Sequence, residues 1–326
     1  MFNKRTDLAV EAREMFFESG QIASEIPGVE AENEEFGFGI TVTRVKVVDE
    51  KGTRALGKEK GTYITLELPQ KGYVEQEEYE GACVICAKEL KKLVAEKNTG
   101  TVLVVGLGNR HITADSVGPK SVESVLITRH LLEYMPEEIE ERLRSVCAVA
   151  PGVLGLTGVE TGEIVKGLCE KVKPSMVIAI DALCSRRIER VNNTIQITDT
   201  GITPGAGIGN HRMGLDEETL GVPVIAMGVP TVVDAATIAG DAIDMILENL
   251  KENAKENLPL FKMLSAVADE DKYSLLKQVM SPAVGDFVVT PKEIDTLVKK
   301  AADIIANGIN IALHEGITLE DIDRYK

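Results

Sequence analysis

Short apolar runs, each bounded by glycine or polar residues, recur through the middle of the chain. The clearest are residues 102–105 and 176–180, which contain only Val, Leu, Ile, Met and Ala. An uninterrupted apolar run of this length is typical of a strand that is buried on both faces of a parallel sheet. Amphipathic stretches of helical length separate these runs. The pattern therefore predicts an α/β fold, with a doubly wound, mostly parallel sheet flanked by helices.

From residue 75 onward, predicted helices and strands alternate, apart from three strands in succession. The predicted elements are helix 75–97, strand 102–105, helix 119–134, strand 145–150, helix 160–172, strand 176–180, strand 194–197, strand 223–227, helix 232–249, strand 287–289 and helix 292–307.

The remaining segments have different patterns. Residues 36–48 and 61–69 alternate apolar and polar side chains around a turn-rich link, which predicts an added antiparallel β segment over 36–69 with one solvent-exposed face. The chain before this β segment begins with a helix-like stretch at 8–17, followed by an acid-rich segment, and together they predict an exposed amino-terminal arm. Residues 251–283 have no clear sheet partner and predict a helical insertion.

Two aspartates follow two of the predicted parallel strands. Asp115 comes shortly after strand 102–105, and Asp181 directly follows strand 176–180. In a flavodoxin-like strand order, strand 102–105 lies between strand 145–150 and strand 176–180, and ligands bind where the order reverses. We therefore expect the two carboxyl groups to face each other across a crevice at the carboxyl ends of the strands.

Two neighbouring carboxyl groups can hydrolyse an amide without a metal or a nucleophilic side chain. An ionised carboxylate takes a proton from water, while a protonated carboxyl group donates to the carbonyl oxygen or to the leaving nitrogen. Repulsion between two carboxylates in one partly buried site favours this division of roles. The alternative is structural, because aspartates at strand ends commonly cap the next helix or turn. Residue pattern alone leaves both interpretations open for Asp115 and Asp181.

Two glycine-rich loops are predicted to border the crevice. The first, GLGN at 106–109, lacks the third glycine of a dinucleotide fingerprint, so a nucleotide-binding module is the weaker interpretation and a tight turn with free backbone N–H groups is the stronger. The second, at 200–210, is long enough to line a site, although a plain surface loop is equally compatible with it. The candidate crevice residues are Gly106, Gly108, Asn109, His111, Gly205, Gly207 and Asn210.

The sequence indicates no metal or cofactor site. Cys83 and Cys86 form a CxxC pair within a predicted helix, but no second pair completes a zinc site, so buried core thiols are expected. The four histidines are scattered and form no HExxH motif. Five cysteines, an odd number, fit a reducing compartment better than a disulfide framework.

Charge and hydropathy exclude two further classes. The chain has 36 Lys and Arg against 52 Asp and Glu, a formal net charge of −16, which would repel the phosphate backbone of nucleic acid. No apolar run approaches the roughly twenty residues of a membrane helix, and the amino terminus has no apolar signal core. We expect a cytoplasmic protein that binds neither nucleic acid nor membrane.

Several segments, read together, closely resemble the germination proteases of spore-forming bacteria, and the resemblance extends over most of the chain. The segments are RTDLAVEA (5–12), VVGLGNRHITADSVGPK (104–120), LITRHL (126–131), APGVLGLTGVET (150–161), VIAIDALCSRRIERVNNTIQITDTGITPGAGIGN (177–210), GVPVIAMGVPTVVDA (221–235) and VTPKEID (289–295).

The resemblance implies an atypical aspartic peptidase that starts the degradation of small acid-soluble spore proteins at germination, in the cytoplasm of the developing forespore and spore core. The aspartates to which the family's catalysis is attributed match Asp115 and Asp181. The family is similar in fold to hydrogenase maturation peptidases, which bind nickel through acidic and histidine positions. Here Ser116 follows Asp115 and no histidine adjoins the segment MGVP, so a nickel-dependent peptidase remains only the alternative.

The resemblance also implies a homotetrameric zymogen that cleaves its own amino terminus. The matching bond joins Asp7 to Leu8, which makes residues 1–7 a pro-segment and 8–326 a single peptidase domain. Family substrate sites have Glu, an apolar residue, Ala, then Ser or Gly, and Glu. Residues 21–25 have a similar order and are a second candidate site.

Overall fold

One sheet of nine strands runs through the part of the chain that the computed structural model describes. The described residues are 6–18, 25–69, 76–94, 100–134, 143–203, 213–253 and 287–325. The strands of the sheet are β1 (Val29–Glu35), β2 (Thr41–Val47), β3 (Gly61–Glu67), β4 (Val102–Gly106), β5 (Val146–Val149), β6 (Met176–Ser185), β7 (Thr194–Thr198), β8 (Val224–Asp234) and β9 (Val288–Val289).

Helices cover both faces of this sheet. They are α1 (Ala9–Glu18), α2 (Glu50–Leu56), α3 (Gln76–Val94), α4 (Val117–Ser124), α5 (Arg129–Tyr134), α6 (Leu154–Thr157), α7 (Thr161–Val172), α8 (Glu217–Leu220), α9 (Ala235–Asn253), α10 (Ile294–Leu313) and α11 (Leu319–Tyr325).

The predicted fold class is confirmed. The strand order is β1-β2-β3-β7-β8-β6-β4-β5, and β9 pairs with β8. The four strands β8, β6, β4 and β5 are parallel, with β4 between β5 and β6 as expected. The added strands β1, β2, β3 and β7 are antiparallel and continue the same sheet.

Two apolar cores explain why the parallel strands are uninterrupted apolar runs. One face packs against α3, α4 and α10, and the other packs against α7 and α8. Every residue of β4 is buried. Cys83 and Cys86 lie in the first core, and all five cysteines are free, so the expectation of core thiols is confirmed.

The predicted exposed arm at the amino terminus is wrong. Leu8 and Ala9 are fully buried, and α1 packs against β2, β3 and α2. Residues 29–35 of the acid-rich segment form β1, which pairs with β2 over its whole length as the edge of the sheet. An edge strand tolerates so many glutamates because its outer side faces solvent.

Other boundaries differ from the prediction for local reasons. The turn-rich link contains α2, because Asp49 caps its first turn by accepting from the N–H groups of Lys51 and Gly52. The predicted helix 119–134 is divided into α4 and α5, since Asn310 of α10 accepts from Leu126 N (2.9 Å) and so ends α4 there. The insertion predicted at 251–283 lies, beyond the end of α9, outside the described residues.

Two central strands are longer than predicted. Beyond the last residue of β4, β6 and β8 continue as a paired ribbon to Ser185 and Asp234, with a register shift between Leu183 and Cys184. Asp181 therefore lies within β6, opposite Gly228 of β8, and not at the end of its strand. The predicted strands end at 180 and 227 because Asp181 and Gly228 interrupt the apolar runs there.

A glycine at the start of α4 controls how closely this helix approaches β4 and β6. A Cβ at Gly118 would lie 2.4 Å from Leu107 O and 2.5 Å from Ile180 O. Backbone oxygens held in a sheet cannot move aside as a flexible side chain can, so only glycine fits. Gly106 is limited in the same way, because its Cβ would lie 2.3 Å from Gly118 O.

We predict that Gly118→Ala lowers the free energy of unfolding by about 3 kcal/mol, at the upper end of typical overpacking penalties. Urea unfolding followed by circular dichroism measures this change. Gly167→Ala, on α7 where nothing lies within 4 Å of the new Cβ, is the matched control and should gain up to about 1 kcal/mol from helix propensity. Equal stability of the two variants would refute the proposed close contact.

Candidate active site

Asp115 and Asp181 line the same cavity, which has a volume of about 650 Å³. It lies at the carboxyl end of β4 and beside the extended part of β6, where the strand order reverses, and residues of β7 and β8 also contribute to its wall. Residues far apart in sequence thus share one site, as the topology argument predicts.

The carboxylate of Asp115 is held by the turn that follows β4. Its Oδ2 accepts a hydrogen bond from Asn109 N at 2.8 Å. Gly108 makes this turn possible, since its φ is +107° and a Cβ there would lie 2.1 Å from Asp115 O. The backbone N–H that the GLGN motif presents at the crevice is therefore directed at the carboxylate.

Contacts from two distant elements fix the backbone around Asp115. Thr231 of β8 donates its hydroxyl to Ala114 O at 2.6 Å. Thr113 donates to the carboxylate of Asp295, in the first turn of α10, at 2.9 Å. Asp115 itself is the last residue of a 3₁₀ turn that precedes α4. Its position therefore depends on β4, β8 and α10 together.

Asp181 is more deeply placed, with only 7% of its surface exposed. Its Oδ1 accepts from Ala182 N at 2.9 Å. The preceding residue, Ile180, is hydrogen-bonded to the segment after β4, because Leu107 N donates to Ile180 O at 2.7 Å. This hydrogen bond joins the segment after β4 to the residue directly before Asp181.

The other candidate crevice residues fall into four groups. Gly108 and Asn109 line the cavity, whereas Gly106 serves the packing of α4. His111 is exposed and does not line the cavity, so its placement in the crevice is not supported. The remaining candidates lie outside the described residues, although the flanking Gly201 and Thr203 do line the cavity. These undescribed candidates are Gly205, Gly207 and Asn210.

The amino-terminal segment enters the same cavity, because Asp7 is one of its lining residues. Asp7 N donates to Cys184 O at 2.9 Å, and Cys184 N donates to the Asp7 carboxylate at 2.8 Å. Leu8 is fully buried in a small apolar cluster with Val10 and Leu183. The segment is therefore docked along the extended part of β6.

Glu11, four residues after Asp7, is bound by the segment that directly follows β6. Its side chain is 1% exposed, and its two carboxylate oxygens accept from Arg186 N (2.7 Å) and Arg187 N (3.0 Å). Arg190 lies 3.5 Å away and adds a positive charge. A buried carboxylate with two N–H donors and a cation is well compensated, which makes this a specific site for an acidic side chain.

Ion pairs hold the rest of α1 in place. Arg190 pairs with Glu14 at 2.7 Å and with Glu67 of β3 at 2.9 Å, and Arg186 pairs with Glu18 at 2.5 Å. Burial alone would raise the pKa of Glu14, but the hydrogen bond and charge of Arg190 lower it below its ordinary value. The helix is thus fixed to the segment that follows β6.

Two residues that sequence reasoning missed contact the backbone of this segment. Lys58, between α2 and β3, and Gln196, on β7, both donate to Asp7 O. Burial lowers the pKa of Lys58 below its ordinary value, although the carboxylates of Asp7 and Glu11 act in the opposite direction. No motif marks either residue, because their role depends on the return of the amino terminus to the cavity.

Within the described residues, no group of three or more His, Cys, Asp or Glu side chains is arranged to hold a metal ion. In that same part of the chain, no helix is both long and apolar enough to cross a membrane.

Comparisons with known proteins identify the family. The family model described as germination protease matches residues 9–266 and 251–326. A germination protease of Clostridium tetani is 51% identical over 98% of this chain and 98% of its own length. Germination proteases of Caldanaerobacter subterraneus and Bacillus cereus are 49% and 42% identical, covering 98% and 99% of this chain and 97% of each relative.

Among solved structures, a [NiFe] hydrogenase maturation protease, HycI from Thermococcus kodakarensis KOD1, is similar with a TM-score of 0.28 and 19% identity. The likeness covers 44% of this chain and 80% of that protein. The full-length relatives and the family model together show that this chain belongs to the germination protease family.

Proposed function

We propose that the chain is an aspartic endopeptidase that starts the degradation of small acid-soluble spore proteins during germination. The observation that carries the proposal is that Asp115, Asp181 and Asp7 line one cavity. Two carboxyl groups beside a bound peptide are the requirement for hydrolysis by activated water. The family membership supports the peptidase activity itself.

In this mechanism one carboxylate of the pair removes a proton from water, and the water oxygen adds to the peptide carbonyl carbon. The other carboxyl group, protonated at the start, gives its proton to the product amine. Each aspartate has a backbone N–H donor, from Asn109 for Asp115 and from Ala182 for Asp181. These donors orient the carboxyl groups so that little reorganisation is needed during reaction.

We further propose that the protein is a zymogen, in which residues 1–7 are removed by cleavage of the Asp7–Leu8 bond. The order Asp7-Leu8-Ala9-Val10-Glu11 resembles that of the family's substrates. Three of these side chains have a matching environment. Asp7 accepts from a backbone N–H of β6, and Leu8 lies in an apolar cluster. Glu11 accepts from the two N–H groups of the segment that follows β6. A substrate with the same order would use the same contacts.

The cellular setting of this activity is part of the proposal and rests on the family resemblance. The enzyme would act as a homotetramer in the cytoplasm of the forespore and spore core, without a metal or cofactor. Of residues 21–25, the second candidate cleavage site, only Glu25 belongs to the described residues.

Asp115→Asn and Asp181→Asn should each lower the rate of cleavage of a small acid-soluble spore protein by at least about a hundredfold, because each removes one member of the acid–base pair. Gel densitometry of the substrate against time gives the rate. Glu170→Gln, which alters an exposed carboxylate on α7, is the control and should keep full activity. Near-normal turnover by either folded aspartate variant would show that the assignment is wrong.

Dialysis against a strong chelator should leave the rate of substrate cleavage unchanged, since the proposed mechanism uses only side chains and water. The measurement compares treated and untreated protein, with metal content checked by mass spectrometry. Loss of activity that one added divalent ion restores would instead support metal-activated water, the mechanism of a nickel-dependent peptidase.

The purified full-length protein should convert to a form that begins at Leu8. Intact mass spectrometry over time detects the loss of residues 1–7. The conversion should be absent in Asp181→Asn, because the same carboxyl pair performs it. Continued formation of the Leu8 terminus in that variant would point to another protease and contradict self-processing.

A further inference from the structure

The carbonyl oxygen of Asp7 receives two hydrogen bonds from side chains on separate elements. Lys58 Nζ lies 2.9 Å from it, and Gln196 Nε2 lies 3.1 Å from it. Gln196 also accepts from Ala9 N through its Oε1, at 2.8 Å. A single amide side chain thus contacts backbone groups on both sides of the Asp7–Leu8 bond.

The partners of the Lys58 ammonium are unusual for a cation. They are two backbone carbonyl oxygens, that of Asp7 and, at 3.4 Å, that of Thr6. In the described part of the chain, Lys58 Nζ forms no ion pair with a carboxylate. The neighbouring Lys60, by contrast, pairs with Glu50 at 2.9 Å. Lys58 therefore directs its charge at a neutral oxygen, which is where negative charge develops when a peptide bond is attacked.

We propose that Lys58 and Gln196 form the oxyanion-binding pair of this active site, holding the carbonyl oxygen of the peptide bond that is cleaved. The inference rests on the proposed function, in which Asp115 and Asp181 activate water. It extends that function by naming the groups that stabilise the tetrahedral intermediate.

In the reaction, the water oxygen forms a bond to the Asp7 carbonyl carbon, and the ionised aspartate takes the proton that water loses. The π electron pair of the C=O bond moves to the oxygen, whose negative charge lies between Lys58 Nζ and Gln196 Nε2. When the C=O bond re-forms, the C–N bond breaks. Leu8 N then takes its proton from the protonated aspartate, leaving a carboxyl group on Asp7 and a free amine on Leu8.

The pair also determines where the acidic proton goes. Because a cation and an amide N–H already stabilise the oxyanion, the acid of the aspartate pair need not protonate that oxygen. Its proton remains for the leaving nitrogen, whose protonation allows the C–N bond to break. Loss of one oxyanion donor typically lowers kcat by about 100- to 1,000-fold, so both residues should have large effects.

The test measures the first-order rate constant for formation of the Leu8 terminus in full-length protein, by intact mass spectrometry. Lys58→Met should lower it by about 100- to 1,000-fold. Lys58→Arg keeps the charge and should recover most of the rate, to within about tenfold of the original protein. Lys60→Met, which removes an exposed lysine of the same link, is the matched control and should leave the rate unchanged. A rate for Lys58→Met within about threefold of the original would overturn the proposal.

Gln196→Met provides a second, independent variant, because it replaces the amide with an apolar side chain of similar length. It should also slow processing by at least about a hundredfold. A fast Gln196→Met together with a slow Lys58→Met would refute the pair.

Amide hydrogen exchange of residues 7–12, measured in the uncleaved Asp181→Asn background, distinguishes oxyanion stabilisation by Lys58 from a role in anchoring the segment. If Lys58 acts on the oxyanion, adding Lys58→Met should change the protection of these amides far less than it changes the processing rate. Loss of protection in proportion to the loss of rate would mean that Lys58 only anchors the segment, and would overturn the proposal.

Different results would refute the aspartate pair and the oxyanion pair. An active Asp115→Asn or Asp181→Asn would refute the proposed function and the oxyanion pair with it. Inactive aspartate variants combined with a normally active Lys58→Met would refute the oxyanion pair alone.

Discussion

The close contact of α4 with the end of β4 and the middle of β6 is the constraint on which the active site depends. Gly118 allows the helix to touch the backbone at Leu107 and Ile180, and a hydrogen bond of 2.7 Å links those two residues directly. Asp115 lies three residues before this glycine, and Asp181 directly follows Ile180. The contact thus sets the spacing of the two carboxyl groups through backbone atoms, which are more rigid than side chains.

The extended ribbon of β6 and β8 adds the second part of the site. It continues past the end of β4, so its edge is open to another chain segment. Asp7 pairs with Cys184 on this edge, and Glu11 binds the N–H groups of Arg186 and Arg187. Recognition of a peptide by backbone pairing with pockets for alternate side chains is a common mode of peptide binding. The proposed substrate site and the docking site of the amino terminus are then the same surface.

The sequence predicted the central strands and the antiparallel pair β2 and β3, but not the packing of the amino terminus against them. The uninterrupted apolar runs predicted β4, β5 and β6, because such runs are typical of a sheet covered on both faces, and the flavodoxin-like arrangement predicted that β4 lies between β5 and β6. The packing of α1 was not predictable, since its glutamates look solvent-exposed until Arg186 and Arg190, encoded far along the chain, are placed beside them. Lys58 was missed for a similar reason, because it lies in a turn-rich link without a recognisable motif and contacts Asp7 only in the folded protein.

The central claim is that one pair of carboxyl groups acts on the peptide bond held beside it. A crystal structure of full-length Asp181→Asn, with the Asp7–Leu8 bond intact, tests this most directly. The account predicts a water molecule bound to the carboxylate of Asp115 and positioned about 3–3.5 Å from the carbonyl carbon of Asp7, with the carbonyl oxygen turned toward Lys58 and Gln196. A carbonyl carbon that no water near Asp115 can reach, or a segment bound outside the cavity, would contradict it.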